Sequence, residues 1–305
     1  MNGVLVLDKS AGITSHDVVW RVRKILRQKS VGHTGTLDPF ATGVLVVLLG
    51  KATRLAQFLD KAEKEYLAKI RFGFETDTGD PTGTQTVESE ARSFSKAEIE
   101  SALAKFRGEI LQTPPMYSAK KVGGKKLYEL ARKGEEIERQ PVKIKISELE
   151  LLETKDKTQT VNDELQIRVV SAAGTYIRVL AEDIGRALGS AAHLSELRRT
   201  RAGNFDLSKA VTLEDLENLL LENEIEKALI SPNQALSHLP MQILSKHEVE
   251  RTQNGMKIEA KDNDFHAAQF VRLSNEHANL VAVALFDENT QTLQPRVVLR
   301  IGDEN

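Results

Sequence analysis

The chain has 305 residues, no cysteine and a formal net charge of −2, with 40% hydrophobic and 28% charged residues. That composition suits a folded protein with one large domain and a small one. The missing cysteine excludes disulfides, thiolate zinc sites, iron–sulfur clusters and thiol nucleophiles.

The opening run Met1–Lys9 is no signal peptide, because Asp8 and Lys9 break it and no basic region precedes it. The longest apolar stretch, Val44–Leu49, falls far short of the ~20 residues a membrane helix needs, so a cytoplasmic protein is expected. Gly3–Leu7 reads as a buried strand. Thr14 or Ser15 then caps a helix whose apolar positions Val18, Val22, Ile25 and Leu26 share a face. Gly32–Gly43 is expected as a loop rich in Gly and Thr. It is followed by the apolar strand Val44–Leu49, a short helix near Thr53–Leu59, and a strand in which Tyr66, Ala68, Ile70 and Phe72 alternate. Glu75–Gln85 is turn-rich, and Ser95-Lys96-Ala97-Glu98 is a capping box opening a helix to about Phe106. Pro114-Pro115 begins an extended segment, Gly123-Gly124 a turn, and a short helix is expected near Lys126–Arg132. Strands follow at Val142–Leu152 and Leu165–Ser171. A helix from Gly174 to about Leu188 is closed by Gly189, and another covers Leu213–Leu221. From about Leu239 the texture changes to short alternating segments, Phe270–Leu273, Leu280–Phe286 and Arg296–Ile301. This irregular alternation predicts an α+β (mixed α/β) fold with a largely antiparallel central sheet, flanking helices and a small β-rich C-terminal domain.

Charge is uneven along this weakly acidic chain. Met116–Lys145 holds nine basic residues (Lys120, Lys121, Lys125, Lys126, Arg132, Lys133, Arg139, Lys143, Lys145) against four acids, and Arg198-Arg199-Thr200-Arg201 adds a second basic knot. A polyanion would bind such a patch, although a Lys-rich run is more often a solvated face. Other patterns mislead. Gly43 to Gly50-Lys51 has six intervening residues and Ala52 where a phosphate loop needs four and a hydroxyl. Asp77-Thr78-Gly79 has no second copy for aspartic-protease chemistry, and with Asp80, Pro81 and Gly83 reads as a surface turn. The seven His include no pair on one helix face, so no metal site is expected.

The informative segment is Gly32-His33-Thr34-Gly35-Thr36-Leu37-Asp38-Pro39-Phe40-Ala41-Thr42-Gly43. An acid between loop glycines, followed by Pro, is held rigid and non-helical; a turn Asp is the plain alternative. The segment resembles the signature loop of the bacterial TruB-type tRNA pseudouridine-55 synthases, with the catalytic acid at Asp38. Matching segments follow the same order: Gly3–Lys9, Lys64-Glu65-Tyr66, Pro114-Pro115-Met116-Tyr117-Ser118-Ala119, Gly174-Thr175-Tyr176-Ile177-Arg178 and Leu197-Arg198-Arg199-Thr200. Together they span roughly residues 1–205.

The resemblance implies isomerisation of uridine to pseudouridine in the T-loop of tRNA, with no cofactor, no metal and no guide RNA. Asp38 would be the nucleophile, attacking C1′ of the ribose or C6 of the base, a choice that stays open. Arg178 would pair with Asp38 and keep it ionised against the effect of burial. Tyr66 would stack on the uracil and remove the C5 proton; by alternation alone it is a core tyrosine. Ile177 and Leu197 would line the uracil pocket, His33 would assist flipping of the base, and Tyr176 and Lys9 would be secondary site residues. Ser10 stands where the family usually has Pro. The resemblance also implies a catalytic domain at 1–238 with an RNA-gripping insertion at about 107–145, and a PUA-like domain at 239–305. Lys120, Lys121, Lys125, Lys126, Arg198 and Arg199 would contact the T stem-loop. A monomer with no protein partner is expected. Three alternatives remain: a guide-RNA-dependent enzyme of the dyskerin type, an RNA-remodelling protein in which catalysis is incidental, and an Asp-dependent hydrolase, which lacks a second carboxylate at recognisable spacing.

Overall fold

The computed structural model describes residues 1–118, 120–152, 160–161, 163–261 and 264–300. Ala119 of the Pro-rich motif and Ile301 of the last expected strand lie outside them.

A nine-stranded sheet forms the framework. Its order is Gly3–Lys9, Thr42–Leu49, Ala192–Ala202, Lys64–Phe72, Glu164–Ser171, Val142–Leu151 and Gly108–Gln112, with Val31–Thr34 paired to Thr42–Leu49 and Phe205–Asp206 to Ala192–Ala202. Every pairing is antiparallel except one. Ala192–Ala202 runs parallel to Thr42–Leu49, where Arg198 lies beside Thr42 and Arg199 beside Gly43. The backbone approach is so close that a Cβ on Gly43 would sit 2.1 Å from the Arg199 carbonyl oxygen, and its φ of +101° adds a second reason for glycine.

Burial explains why the first strands are continuous apolar runs. Leu5, Leu7, Leu45, Val47 and Leu49 pack under Val18, Val19 and Val22 of the helix Ser15–Ile25 and Leu216 of the helix Leu213–Leu221. The alternate residues Val4, Val6, Val44, Val46 and Leu48 pack with Leu280, Val283, Val297 and Leu299 of the C-terminal β-rich unit. A strand covered on both faces has no solvent side to make polar, so alternation vanishes. Tyr66, Ala68, Ile70 and Phe72 instead face one core, closed by Ile99, Ala102 and Leu103 of Lys96–Ala104 and by Leu180, Ala181 and Ile184 of the helix Ile177–Ala187. Each such Leu or Ile contributes about 1.5–3 kcal/mol by leaving water.

The C-terminal unit is a five-stranded sheet ordered Met241–Ile243, Phe270–Ser274, Leu280–Asp287, Thr292–Val298, Ile258–Glu259. It also carries the helix Lys246–Gln253, opened by a Ser245/Glu248 capping box, which the pattern reading did not anticipate because this helix is mostly polar. The last strand starts four residues earlier than expected. Thr14, with its reciprocal partner Asp17, caps the first helix. The expected loop 32–43 begins as strand, because Val31 and Thr34 are buried against Thr42–Leu49. The expected loop 75–85 is bracketed by a short ladder between Phe74–Thr76 and Gln85–Glu88. The strand Ala192–Ala202 was not foreseen as an element at all.

Candidate active site

Asp38 projects from the turn between Val31–Thr34 and Thr42–Leu49, and the residues around it are fixed from beneath. Ser15 Oγ accepts from the Leu37 amide (2.9 Å) and donates to the Leu37 carbonyl (3.1 Å). Lys9 Nζ, almost fully buried, donates to the carbonyls of Ser10 (2.9 Å), Ile13 (2.8 Å) and Pro39 (3.2 Å). The amide of Gly12 also binds the Pro39 carbonyl at 2.8 Å. Burial pulls the Lys9 ammonium down to about 8 despite the attraction of Asp38. Lys9 is therefore a support of the Asp38 loop, which favours a structural role for it over a contact with RNA.

Arg178 is the second residue of the helix Ile177–Ala187, a helix start where the macrodipole disfavours a cation. Acceptors hold it there. Its Nε meets Asp38 Oδ2 at 2.9 Å and its Nη2 meets Oδ1 at 3.3 Å. Nη1 donates to the Thr78 carbonyl (2.6 Å) and Nη2 to the Tyr117 carbonyl (2.7 Å). The guanidinium is buried, whereas 33% of the Asp38 side chain stays accessible. A second carboxylate, Asp80, approaches Nη1 to 3.8 Å. Burial raises the Asp38 carboxyl above its ordinary value, Arg178 opposes that rise, and Asp80 adds to it.

Asp80 corrects the reading of 77–83 as a plain surface turn, for it is 5% exposed. Its Oδ1 accepts from the Thr78 hydroxyl (2.8 Å), the Thr82 amide (2.9 Å) and the Thr82 hydroxyl (2.5 Å). Turn chemistry made Asp80 look solvated, and nothing local signals that Arg178 lies beside it. Gln112 was also missed. Buried at the end of Gly108–Gln112, its side-chain amide accepts from the Tyr176 amide (2.8 Å) and donates to the Tyr176 carbonyl (3.0 Å). It thereby sets the residue that caps the Arg178 helix. No sequence pattern marks that role.

Tyr66, Ile177 and Leu197 fall in one apolar cluster with Leu37 and Ala41, against which Phe40 packs. Tyr66 lies on the central strand Lys64–Phe72, between Val169 on one side and Arg199 on the other. Tyr66 and Leu197 are each 7% exposed, so both belong to the core as well as to the loop's surroundings. His33 is half-buried, with Nδ1 enclosed and lacking a hydrogen-bond partner. Burial and the nearby Arg199 charge push its pKa below the usual imidazole range, leaving it neutral at pH 7.

The basic residues divide. Lys120, Lys121, Lys125 and Lys126 lie on or beside the hairpin Lys121–Val122/Lys125–Lys126, with Lys121 and Lys125 exposed and Lys126 stacked over Tyr128 at 5.4 Å. Arg198 forks onto Asp8 (2.7 and 3.1 Å). Arg199 is wholly inaccessible, with Nε on the Val44 carbonyl (2.7 Å) and Nη2 on the Gly35 carbonyl (2.8 Å). Its expected RNA contact is thus corrected: it ties two strands to the Asp38 loop from inside. Among the described residues, no group of three or more His, Asp or Glu could hold a metal ion, and no helix is long and apolar enough to cross a membrane.

Comparison with known proteins places this geometry in context. Residues 23–177 match the family described as TruB family pseudouridylate synthase (N terminal domain), and residues 178–238 match the tRNA pseudouridylate synthase B C-terminal domain. The chain is 47% identical over 259 residues to the tRNA pseudouridine synthase B of Geobacillus thermodenitrificans, covering 84% of this chain and 85% of that one. It is 42% identical over 284 residues to that of Solibacter usitatus, covering 93% and 95%. Among solved structures it resembles a chain of an H/ACA RNP bound to a substrate RNA containing 2′-deoxyuridine (TM-score 0.75, 28% identity, 99% of this chain and 86% of that one). It also resembles a chain of a Cbf5-Nop10-Gar1 complex (TM-score 0.73, 30% identity, 99% and 84%).

Proposed function

The chain belongs to the TruB family of pseudouridylate synthases, which makes it an isomerase, and we propose that it converts uridine 55 in the T-loop of tRNA to pseudouridine without a guide RNA. The observation that carries the reading is the ion pair of Asp38 with Arg178, open to solvent on the carboxylate side and beside an apolar cluster containing Tyr66, Ile177 and Leu197.

The reaction breaks the N1–C1′ bond, turns the uracil and rejoins it through C5. Asp38 acts as nucleophile, at C1′ or at C6. In the first route the N1–C1′ electron pair leaves with uracil, Asp38 holds the ribose as an ester, and C5 then displaces the carboxylate. In either route C5 loses a proton and N1 gains one. Tyr66 removes the C5 proton and offers its ring to the base. Arg178 keeps Asp38 ionised and aimed. The target leaves its stack to reach Asp38, costing a few kcal/mol, and His33, half-buried at the start of the Asp38 loop, contacts the nucleotide on its way through the accessible part of its ring. Tyr176, Ile177 and Leu197 frame the base.

Residues 1–238 form the catalytic part, 107–145 an insertion whose Lys120, Lys121, Lys125 and Lys126 meet phosphates, and 239–305 an RNA-binding appendage. The enzyme works as a monomer in the cytoplasm. The test is pseudouridine mapping on an unmodified tRNA transcript with wild type and Asp38→Asn side by side. Product at the T-loop uridine with wild type alone supports the reading. A second reading, dependence on a guide RNA, is favoured by the likeness to a chain of an H/ACA RNP bound to a substrate RNA; it predicts no product until guide RNA is supplied.

A further inference from the structure

The helix Ser15–Ile25 and its C-terminal extension carry two stripes. Val18, Val19, Val22 and Leu26 are buried against the sheet. Trp20, Lys24 and Arg27 form a second, exposed stripe, and Arg23 lies half-buried beside them with Nη2 donating to the Val31 carbonyl (2.7 Å). Trp20 is the only tryptophan of the chain and is 57% exposed. Lys24 Nζ lies 5.6 Å from its ring. These residues, with Gln28 and Lys29, line a concavity of ≈ 440 Å³.

A solvated basic face is the plain explanation, but it accounts poorly for what is here. Residues 14–30 hold five cations and one acid in a chain of net charge −2. The acid, Asp17, is engaged by Thr14 in the helix cap. Among the described residues Lys24, Arg27 and Lys29 form no ion pair, whereas Arg23 is engaged by the Val31 carbonyl. A large aromatic face left in water among unpaired cations suits a ligand that is both flat and anionic. Position points the same way. The helix starts at Ser15, which pins Leu37 beside Asp38. At ~1.5 Å per residue, Trp20 lies about 8 Å further along the axis. An RNA held at Asp38 that extends along this helix therefore meets the stripe as it leaves the site.

We propose that the stripe is a second RNA-contact surface, on which a base of the substrate RNA other than the reacting one stacks on Trp20 while Lys24 and Arg27 hold the adjoining phosphates. The inference rests on the chain acting on tRNA and names a part of that binding surface.

Because Trp20 is the sole tryptophan, intrinsic fluorescence reports on it alone. Titration of the full chain with unmodified tRNA should change the emission saturably, at the concentrations that saturate turnover. Trp20→Ala should raise KM for tRNA about five- to tenfold while kcat moves less than twofold, as loss of one stacked base implies. Lys24→Ala with Arg27→Ala should flatten the log–log salt dependence of binding by about 1.4–1.8, or 0.7–0.9 per phosphate. Normal pseudouridine formation with unchanged fluorescence, KM and salt slope would overturn the proposal and leave the catalytic reading intact. An emission change that tracks protein concentration without RNA would overturn it in favour of an interface between two copies. Loss of all product with wild type would instead count against the catalytic reading.

Discussion

Asp80 reaches the Arg178 guanidinium through Nη1 at 3.8 Å, while Asp38 takes Nε and Nη2. One buried cation therefore serves two carboxylates, and they are not equivalent. Asp80 is enclosed, with Oδ1 committed to Thr78 and Thr82, whereas Asp38 keeps a third of its side chain open.

The sharing gives opposite shifts for two substitutions. As the proposed nucleophile Asp38 must be ionised, so activity should fall as pH drops through its raised pKa, with the acid limb of kcat/KM above the ~3.9 of a free Asp. Arg178→Gln removes the opposing cation and should move the limb to higher pH, with kcat/KM down about 100-fold at pH 7.5. Asp80→Asn removes a charge that raises Asp38 and should move the limb to lower pH, with a loss of about tenfold from a looser Arg178. Rate profiles from pH 4.5 to 8 check both; shifts of the same sign would defeat the shared-cation account.

For Tyr66, removing the hydroxyl separates proton transfer from stacking. Tyr66→Phe should lower kcat by about 10²–10⁴ with KM little changed. Tyr66→Ala should also destabilise the fold by about 3–5 kcal/mol, because the ring is 7% exposed in the core. Single-turnover rates and thermal melts distinguish these effects.

Arg199 and the hairpin lysines should respond in opposite ways. Arg199→Ala strands two backbone carbonyls and opens a cavity, so stability should fall by about 2–4 kcal/mol with no loss of salt dependence beyond that of the unfolded fraction. Lys121→Ala with Lys125→Ala should leave the melting temperature unchanged and reduce the salt slope of tRNA binding by about 0.7–0.9 for each phosphate no longer neutralised. Denaturant melts and binding at several salt concentrations decide.

Glu182, one turn beyond Arg178 on the helix Ile177–Ala187, gives a pH-dependent stability effect. Burial raises its carboxyl to about 7, with Glu75 and Asp183 adding to the rise and Arg186 opposing it. The folded state then holds a proton that the unfolded state has released between about pH 4.5 and 7, so stability declines as pH rises through that window. Glu182→Gln should remove the decline, stabilising the protein by on the order of 1–3 kcal/mol at pH 8 and by almost nothing at pH 4. Urea midpoints at both pH values test it.

What was legible beforehand was local. The Ser95/Glu98 box and the Tyr66–Phe72 alternation write their geometry into neighbouring residues, so strand and helix could be placed. Ala192–Ala202 could not, because bulges at Leu194/Glu196 and Arg199/Arg201 break its period and Arg199 puts a charge where a core strand shows an apolar residue. Asp38 stood out through its loop. Its pairing with Arg178, 140 positions away, came only through the family resemblance. Asp80 and Gln112 stayed hidden because each acts through a partner brought near by the fold.

The segment from Gln112 to Tyr117 is fastened at both ends to the same helical turn, by Gln112 on Tyr176 and by the Tyr117 carbonyl on Arg178. The lysine-bearing hairpin hangs from the far side of that fastening. Thermodynamic reciprocity then applies: any free energy with which bound RNA favours one setting of the hairpin returns, equal in size, as a preference of that setting for Arg178 seated on Asp38. Grip on the substrate and readiness of the nucleophile would accordingly be two readings of a single equilibrium.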